Sequence, residues 1–217
     1  MNHHIHRLIT YALRENLIDP LDIDYVNNQL SFLLDVKPVL FSALPTADSI
    51  DTLLSPLLDH AYAIKLIPDN DVVNRDLIES KIMDLFTPRP SDYQMRFDQL
   101  YQKDPRFATD DFYHRSIASN YIKMSRIQNN QAFHVPSPYG NIDITINLSK
   151  PEKDPKAIAQ AMKEPKSDYP GCLLCGSNVG YYGSLNHPGR SNHRVIKTSI
   201  HGETFYFQYS PYVYYNE

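Results

Sequence analysis

Apolar residues recur three and four positions apart through the first 130 residues, then give way to strict alternation. Leu8, Ile9, Ala12, Leu13 and Leu17 predict a helix over His6–Leu17, which Asp19-Pro20 ends. Ile23, Val26, Leu30, Leu33 and Leu34 predict a second over Asp22–Val36. A third apolar stretch, Ser49–Leu58, carries Pro56, which is expected to break or kink it. Val72, Leu77, Ile78, Ile82 and Leu85 stripe a helix over Asp71–Phe86. TPRPSD reads as a loop, because prolines disfavour helix in the residue before them. Two further helices are expected over Asp92–Gln102 and Thr109–Asn129. The physical reading of all these stripes is a packed helical core.

After Asn130 the period changes to two. Phe133–Pro138 reads as extended and Tyr139-Gly140-Asn141 as a hairpin turn. Ile142, Ile144, Ile146 and Leu148 then alternate with Asp143, Thr145 and Asn147, the signature of a half-buried strand. Asp154–Lys163 suits a short helix with Pro155 in its first turn. Arg194–Ile200 and Thr204–Tyr209 are strand-like, with His201-Gly202-Glu203 as the turn between them. The expected class is α+β: a helical region over 1–130, then a β-rich region over 131–217 with an antiparallel or mixed sheet. The last run, YSPYVYYNE, is strand-like with no closing turn, so the sheet reads as truncated.

Composition narrows the functional classes. The 217 residues are 42% hydrophobic and 21% charged, ordinary for a globular protein. A net charge of -4 argues against a nucleic-acid binder, which needs a basic surface to neutralise phosphates. No stretch approaches the roughly 18 apolar residues that span a bilayer. The start MNHHIHRLITYALRENL lacks the apolar run and cleavage site of a signal peptide, so a cytoplasmic protein without a membrane partner is expected.

The chemistry-bearing stretch is GCLLCGSNVGYYGSLNHPGRSNHR, which holds both cysteines of the chain. Cys172 and Cys175, three apart, with His187 and His193 beyond, have acceptable spacing for a structural zinc or iron site. Pro188 and Gly189 interrupt the helix that a DNA-reading finger needs. A redox pair and two inert thiols remain alternatives. Arg190 and Arg194 offer forked donors, and Asn186 and Asn192 amides, suited to phosphate; a solvated polar loop is the plain alternative. His114 and the N-terminal HHIH read as structural and as an exposed terminus respectively. No Gly-rich phosphate loop, Ser-His-Asp signature or HExxH motif is present.

Several stretches together carry a resemblance. They are FSALPTADSIDTLLSPLLDHAYAIKLIPDNDVVNRDLIESKIMDLFTPRPSD, DFYHRSIASNYIKMSRIQNN, PSPYGNIDITINLSKPEKDPKAIAQA, YPGCLLCGSNVGYYGSLNHPGRSNHR and FYFQYSPYVYYNE. The chain resembles the class II galactose-1-phosphate uridylyltransferases of Gram-positive bacteria. The resemblance implies the start of a uridylyltransferase (HIT-like) fold. The implied reaction moves a uridylyl group from UDP-glucose to galactose 1-phosphate in the Leloir pathway, through a uridylyl-histidine. A homodimer is a candidate assembly.

Members of that family are roughly twice as long and continue past a YNE-like segment into a histidine-rich motif that holds the nucleophile. None of the nine histidines here matches it; His4-Ile5-His6 lacks the context. The chain is therefore expected to be an incomplete transferase. In the related class I enzymes a Cys-x-x-Cys followed by Asn helps hold a metal near the nucleotide, and Cys172, Cys175 and Asn178 match that outline. The expected roles are a structural clasp for Cys172 and Cys175, and substrate contact for Asn178, Arg190, Asn192 and Arg194. The rivals are a non-catalytic metal- or nucleotide-binding module and an inactive truncated product with an exposed sheet edge.

Overall fold

A computed structural model of the chain describes residues 1–146, 148, 155–156, 159, 162–163, 175–181, 183 and 190–212. Among the described residues the helices come first: α1 (Asn2–Arg14), α2 (Ile23–Leu33), α3 (Ile50–Ala63), α4 (Val72–Asp84), α5 (Pro90–Tyr101), α6 (Pro105–Ala118) and the single turn α7 (Met124–Ile127). Two antiparallel hairpins follow, β1 (Gln131–Ser137) with β2 (Gly140–Ile146), and β3 (Ile196–Ile200) with β4 (Glu203–Phe207). The architecture is α+β, as the periodicities predict. The short helix expected over Asp154–Lys163 lies largely outside the described residues.

Side chains fix the helix starts. Asp71 accepts from the Val73 and Asn74 amides at 2.8 and 2.9 Å, and Asp104 from the Arg106 amide ahead of Pro105. Such caps satisfy amides that have no partner within the helix. Pro90 starts α5 instead of lying in a loop, because its fixed φ and missing N–H suit a first helical position.

Three expectations need correction. Pro56 neither ends nor breaks α3, which runs on to Ala63. Leu53, Leu54, Leu57, Leu58 and Ala61 are all buried along it, and that packing outweighs one lost backbone bond. The helix expected over Thr109–Asn129 stops at Ala118. Asn120 takes a left-handed φ of 54°, and the Ile122 amide reaches back to the Ser116 carbonyl at 2.9 Å. The chain turns there and buries Tyr121, Ile122 and Lys123. Finally, the strand expected to be half buried is exposed on both faces.

Two cores form. Helices α1–α4 enclose Ile5, Leu8, Ile9, Leu30, Leu57 and Phe86. The second joins Tyr93, Phe112, Tyr121, Ile122 and Ile127 to Ile196 and Tyr209. Packing thus crosses residue 130, although the secondary structure changes there. The β3–β4 turn, with positive φ at both His201 and Gly202, is the tight type whose twist matches paired strands.

Large-to-small changes should register in both cores. Leu57→Ala should cost about 2–5 kcal/mol and Phe112→Ala about 3–5 kcal/mol in urea unfolding. Phe32→Ala, at an 86% exposed position, should stay within about 0.5 kcal/mol.

Candidate functional site

The segment Arg190–Arg194, RSNHR, has no regular structure, yet Ser191, Asn192, His193 and Arg194 are buried. A turn closed by the His193 amide on the Arg190 carbonyl, at 3.0 Å, points successive side chains into different helices. Buried polar groups of this kind are costly unless they find partners. Partners in the helical region serve Arg190, Ser191, Asn192 and Arg194, while Gln208 and Tyr212 serve His193 and Arg190 from the sheet region.

Arg194 meets five acceptors. Its Nε donates to the Pro88 carbonyl at 2.7 Å, Nη1 to the Ser191 and His193 carbonyls, and Nη2 to Asp84 at 2.8 Å and the Thr87 carbonyl. The turn after α4 is thereby wrapped around one guanidinium. Burial pushes the Asp84 carboxyl up, and Arg194 only partly offsets this. Asn192 Nδ2 donates to the Ser119 carbonyl at 2.9 Å. Its Oδ1 is buried and meets no partner among the described residues. His193 stacks on Tyr121, centroids 5.1 Å apart, and its Nε2 lies 2.5 Å from Gln208 Oε1.

Arg190 reaches the most charged interior region. Its Nη2 lies 3.4 Å from Asp76 and donates to the Tyr212 hydroxyl at 2.5 Å. Asp76 also accepts a two-pronged pair from Arg126, at 2.9 and 2.6 Å. Buried Lys123 stands 3.9 Å from Asp76 and contacts Glu79, which also accepts from Asn120 Nδ2 at 2.9 Å. Burial drives the Asp76 carboxyl up, but Lys123, Arg126 and Arg190 overcome it and hold the group below its usual range. Burial pulls the Lys123 ammonium down, against Glu79 and Asp76. The cluster draws on α4, α7, the turn before α7, and residues 190 and 212, so it ties the helices to the sheet region.

Two hollows adjoin these groups. A cavity of about 210 Å³ beside the cluster is lined by Asp51, Ser55, Arg75, Asp76, Glu79 and Arg126. A groove of about 1060 Å³ has Arg194 in its wall with Arg89, Arg96 and Arg115. Asp19, Asp22, Asp84 and Asp92 line it too, so its charges cancel and it has no net preference for an anion.

The residues singled out from sequence therefore fall into separate places. Arg190, Asn192 and Arg194 belong to one buried segment, but their donors turn towards Asp76, Ser119 and Asp84. Asn178 is buried on a 3-10 turn, Gly176–Asn178. That turn lies against β4: a Cβ on Gly176 would fall 2.6 Å from the Tyr206 ring. Cys175 is exposed just ahead of the turn, while Cys172, Asn186 and His187 lie outside the described residues. The His193 Nε2 is committed to Gln208 and unavailable to a metal. Sequence reasoning missed Asp76, Glu79, Lys123, Arg126 and Tyr212. A signal existed: two acids three apart on α4, and two bases three apart around α7.

Comparison with known proteins gives a consistent result. The family described as galactose-1-phosphate uridyl transferase, N-terminal domain, matches residues 16–211. A galactose-1-phosphate uridylyltransferase of Caldanaerobacter subterraneus is 47% identical over 99% of this chain and 42% of its own length. Proteins of that name from Clostridium acetobutylicum and Fusobacterium nucleatum are 43% and 44% identical, over 44% and 42% of their lengths. The chain thus spans less than half the length of the curated relatives it matches. No solved structure matches.

The buried imidazole predicts a pH dependence. Burial, with Arg194 and Arg190 nearby, lowers the His193 pKa from 6.5 to about 4, against a smaller opposing effect of Gln208. An unfolded chain takes up this proton before the folded one does. The stabilisation is complete above pH 6.5 and is lost as pH falls towards 4, about 3 kcal/mol across that range. Thermal unfolding followed between pH 7 and 4 should show this slope, and His193→Gln should flatten it.

Proposed function

The chain belongs to the galactose-1-phosphate uridyl transferase family, and from that premise we propose that it serves uridylyl transfer from UDP-glucose to galactose 1-phosphate. The observation that carries the proposal is the match itself, which runs through 16–211 and includes the cysteine pair and RSNHR. In this reading a histidine nitrogen attacks the α-phosphorus of UDP-glucose, and glucose 1-phosphate leaves with the electrons of the broken P–O bond. A phosphate oxygen of galactose 1-phosphate then attacks the uridylyl-histidine, releasing the imidazole and forming UDP-galactose.

We place the nucleophile outside these 217 residues. His6, in the one His-x-His of the sequence, is buried in α1 against Phe41, and its Nδ1 accepts from the Ser42 amide at 3.3 Å. His193 is buried and held by Gln208. Neither has the exposure that attack on a nucleotide requires.

Asn178, Arg190, Asn192 and Arg194 serve the substrate site in this proposal chiefly by positioning. Arg194, with every donor committed to protein, fixes the turn after α4, and Arg190 fixes the segment against Asp76 and Tyr212. Their rigidity would hold the substrate-facing backbone in one geometry. Cys172 and Cys175 remain the proposed thiolate ligands of a structural zinc or iron ion, which would clamp their loop and take no part in the transfer.

Calorimetric titration of UDP-glucose into the folded chain tests the proposal. We expect saturable binding that Arg190→Ala weakens about tenfold, because the segment loses its anchor at Asp76 and Tyr212. We expect no glucose 1-phosphate on adding galactose 1-phosphate. Absence of binding would overturn the substrate assignment, and steady turnover by this chain alone would overturn the placement of the nucleophile.

A further inference from the structure

The hairpin β1–β2 sorts its side chains strictly by face. The register pairs Phe133 with Ile144, Val135 with Ile142 and Gln131 with Ile146, and cross-strand partners share a face. Phe133, Val135, Ile142, Ile144 and Ile146 therefore form one continuous apolar surface. Their exposures run from 37% to 53%, so no other described residue covers the surface. The opposite face carries His134 beside Asp143, at 2.5 Å, with Asn141 and Thr145.

Neither core includes any residue of this hairpin. The other hairpin differs: Ile196 and Phe207, paired across β3–β4, pack into the second core with Phe112 and Tyr209. A lone two-stranded hairpin is marginal in water, and alternation this regular is wasted unless the apolar face meets another surface. Both strands of β1–β2 also lack a further partner among the described residues, which leaves paired edges open.

The comparisons indicate what can meet it. The matched unit is described as an N-terminal domain, and the relatives carry more than half of their length outside the matched stretch. We infer that the apolar face of β1–β2 is the docking seat for that remaining polypeptide, which lays apolar side chains against Val135, Ile142 and Ile144. The polar face with His134 and Asp143 stays in water. This inference concerns assembly and stands apart from the substrate assignment.

The test uses the 217-residue chain mixed with the separately produced part of the Caldanaerobacter relative that lies outside the match. A one-to-one complex should form in light scattering after gel filtration. Val135→Asp and Ile144→Asp should each weaken it about 100-fold, and Thr145→Ala, on the opposite face, less than about threefold, as expected at the centre and off the edge of an interface. Because an aspartate could unravel the hairpin itself, amide exchange of the unaltered chain supplies a second reading: amides over 131–146 should gain protection on mixing. No complex, or a complex without added protection there, would overturn the inference. So would a dimer of the chain alone that the same aspartates abolish, since the seat would then belong to a second copy.

Discussion

Asp76 is a buried carboxylate shared by three cations, Lys123 and Arg126 from around α7 and Arg190 from far along the chain. A buried charge is tolerated only when it is paired, and removing one partner exposes the rest to the full cost of desolvation. The constraint works in both directions. It holds α4 against α7, and it obliges the segment after the cysteine region to enter the helical body at one point. Glu79 and Asn120 extend the same network by satisfying Lys123 and the bend at the end of α6. The second core is then closed by Tyr121 and Tyr209, whose hydroxyl and carbonyl meet at 3.2 Å.

RSNHR acts as a latch within that frame. Its two arginines are anchored at Asp76 and Asp84, eight positions apart on α4, with Ser191 beside Ser80 between them. One face of α4 is thus read along its length by one short segment. Such anchoring at both ends holds the backbone between the two arginines in one geometry. The exposed apolar face of β1–β2 belongs to a different level of organisation, the joining of this unit to further polypeptide.

Much of the fold was legible because apolar periodicity reports the type of element directly, and in the helices its buried face as well. Leu53, Leu54, Leu57 and Leu58 announce α3, and Ile142, Ile144 and Ile146 announce β2. What periodicity cannot report is how far tertiary contacts override local rules. Pro56 sits inside a helix because four leucines hold it there, and SIASNYIKMSR keeps helical spacing although Asn120 breaks the helix. The site was legible in membership and not in direction. Arg190, Asn192 and Arg194 stand out as donors in a polar loop, but nothing local tells whether a guanidinium faces water, substrate or a buried aspartate. Asp76 and Glu79 were hidden for the related reason that acids on a helix are ordinarily solvated. No membrane-spanning helix occurs among the described residues, in keeping with the low hydropathy of the sequence.

A double-mutant cycle on Asp76 and Arg190 tests the central claim, that a buried ion pair couples helices to the latch, most directly. Urea unfolding of Asp76→Asn, Arg190→Gln and the double variant gives the coupling free energy. The account predicts a coupling of about 1–3 kcal/mol, with the double variant less destabilised than the sum of the singles. Additive effects within about 0.3 kcal/mol would contradict it and leave the latch as packing without a charged anchor.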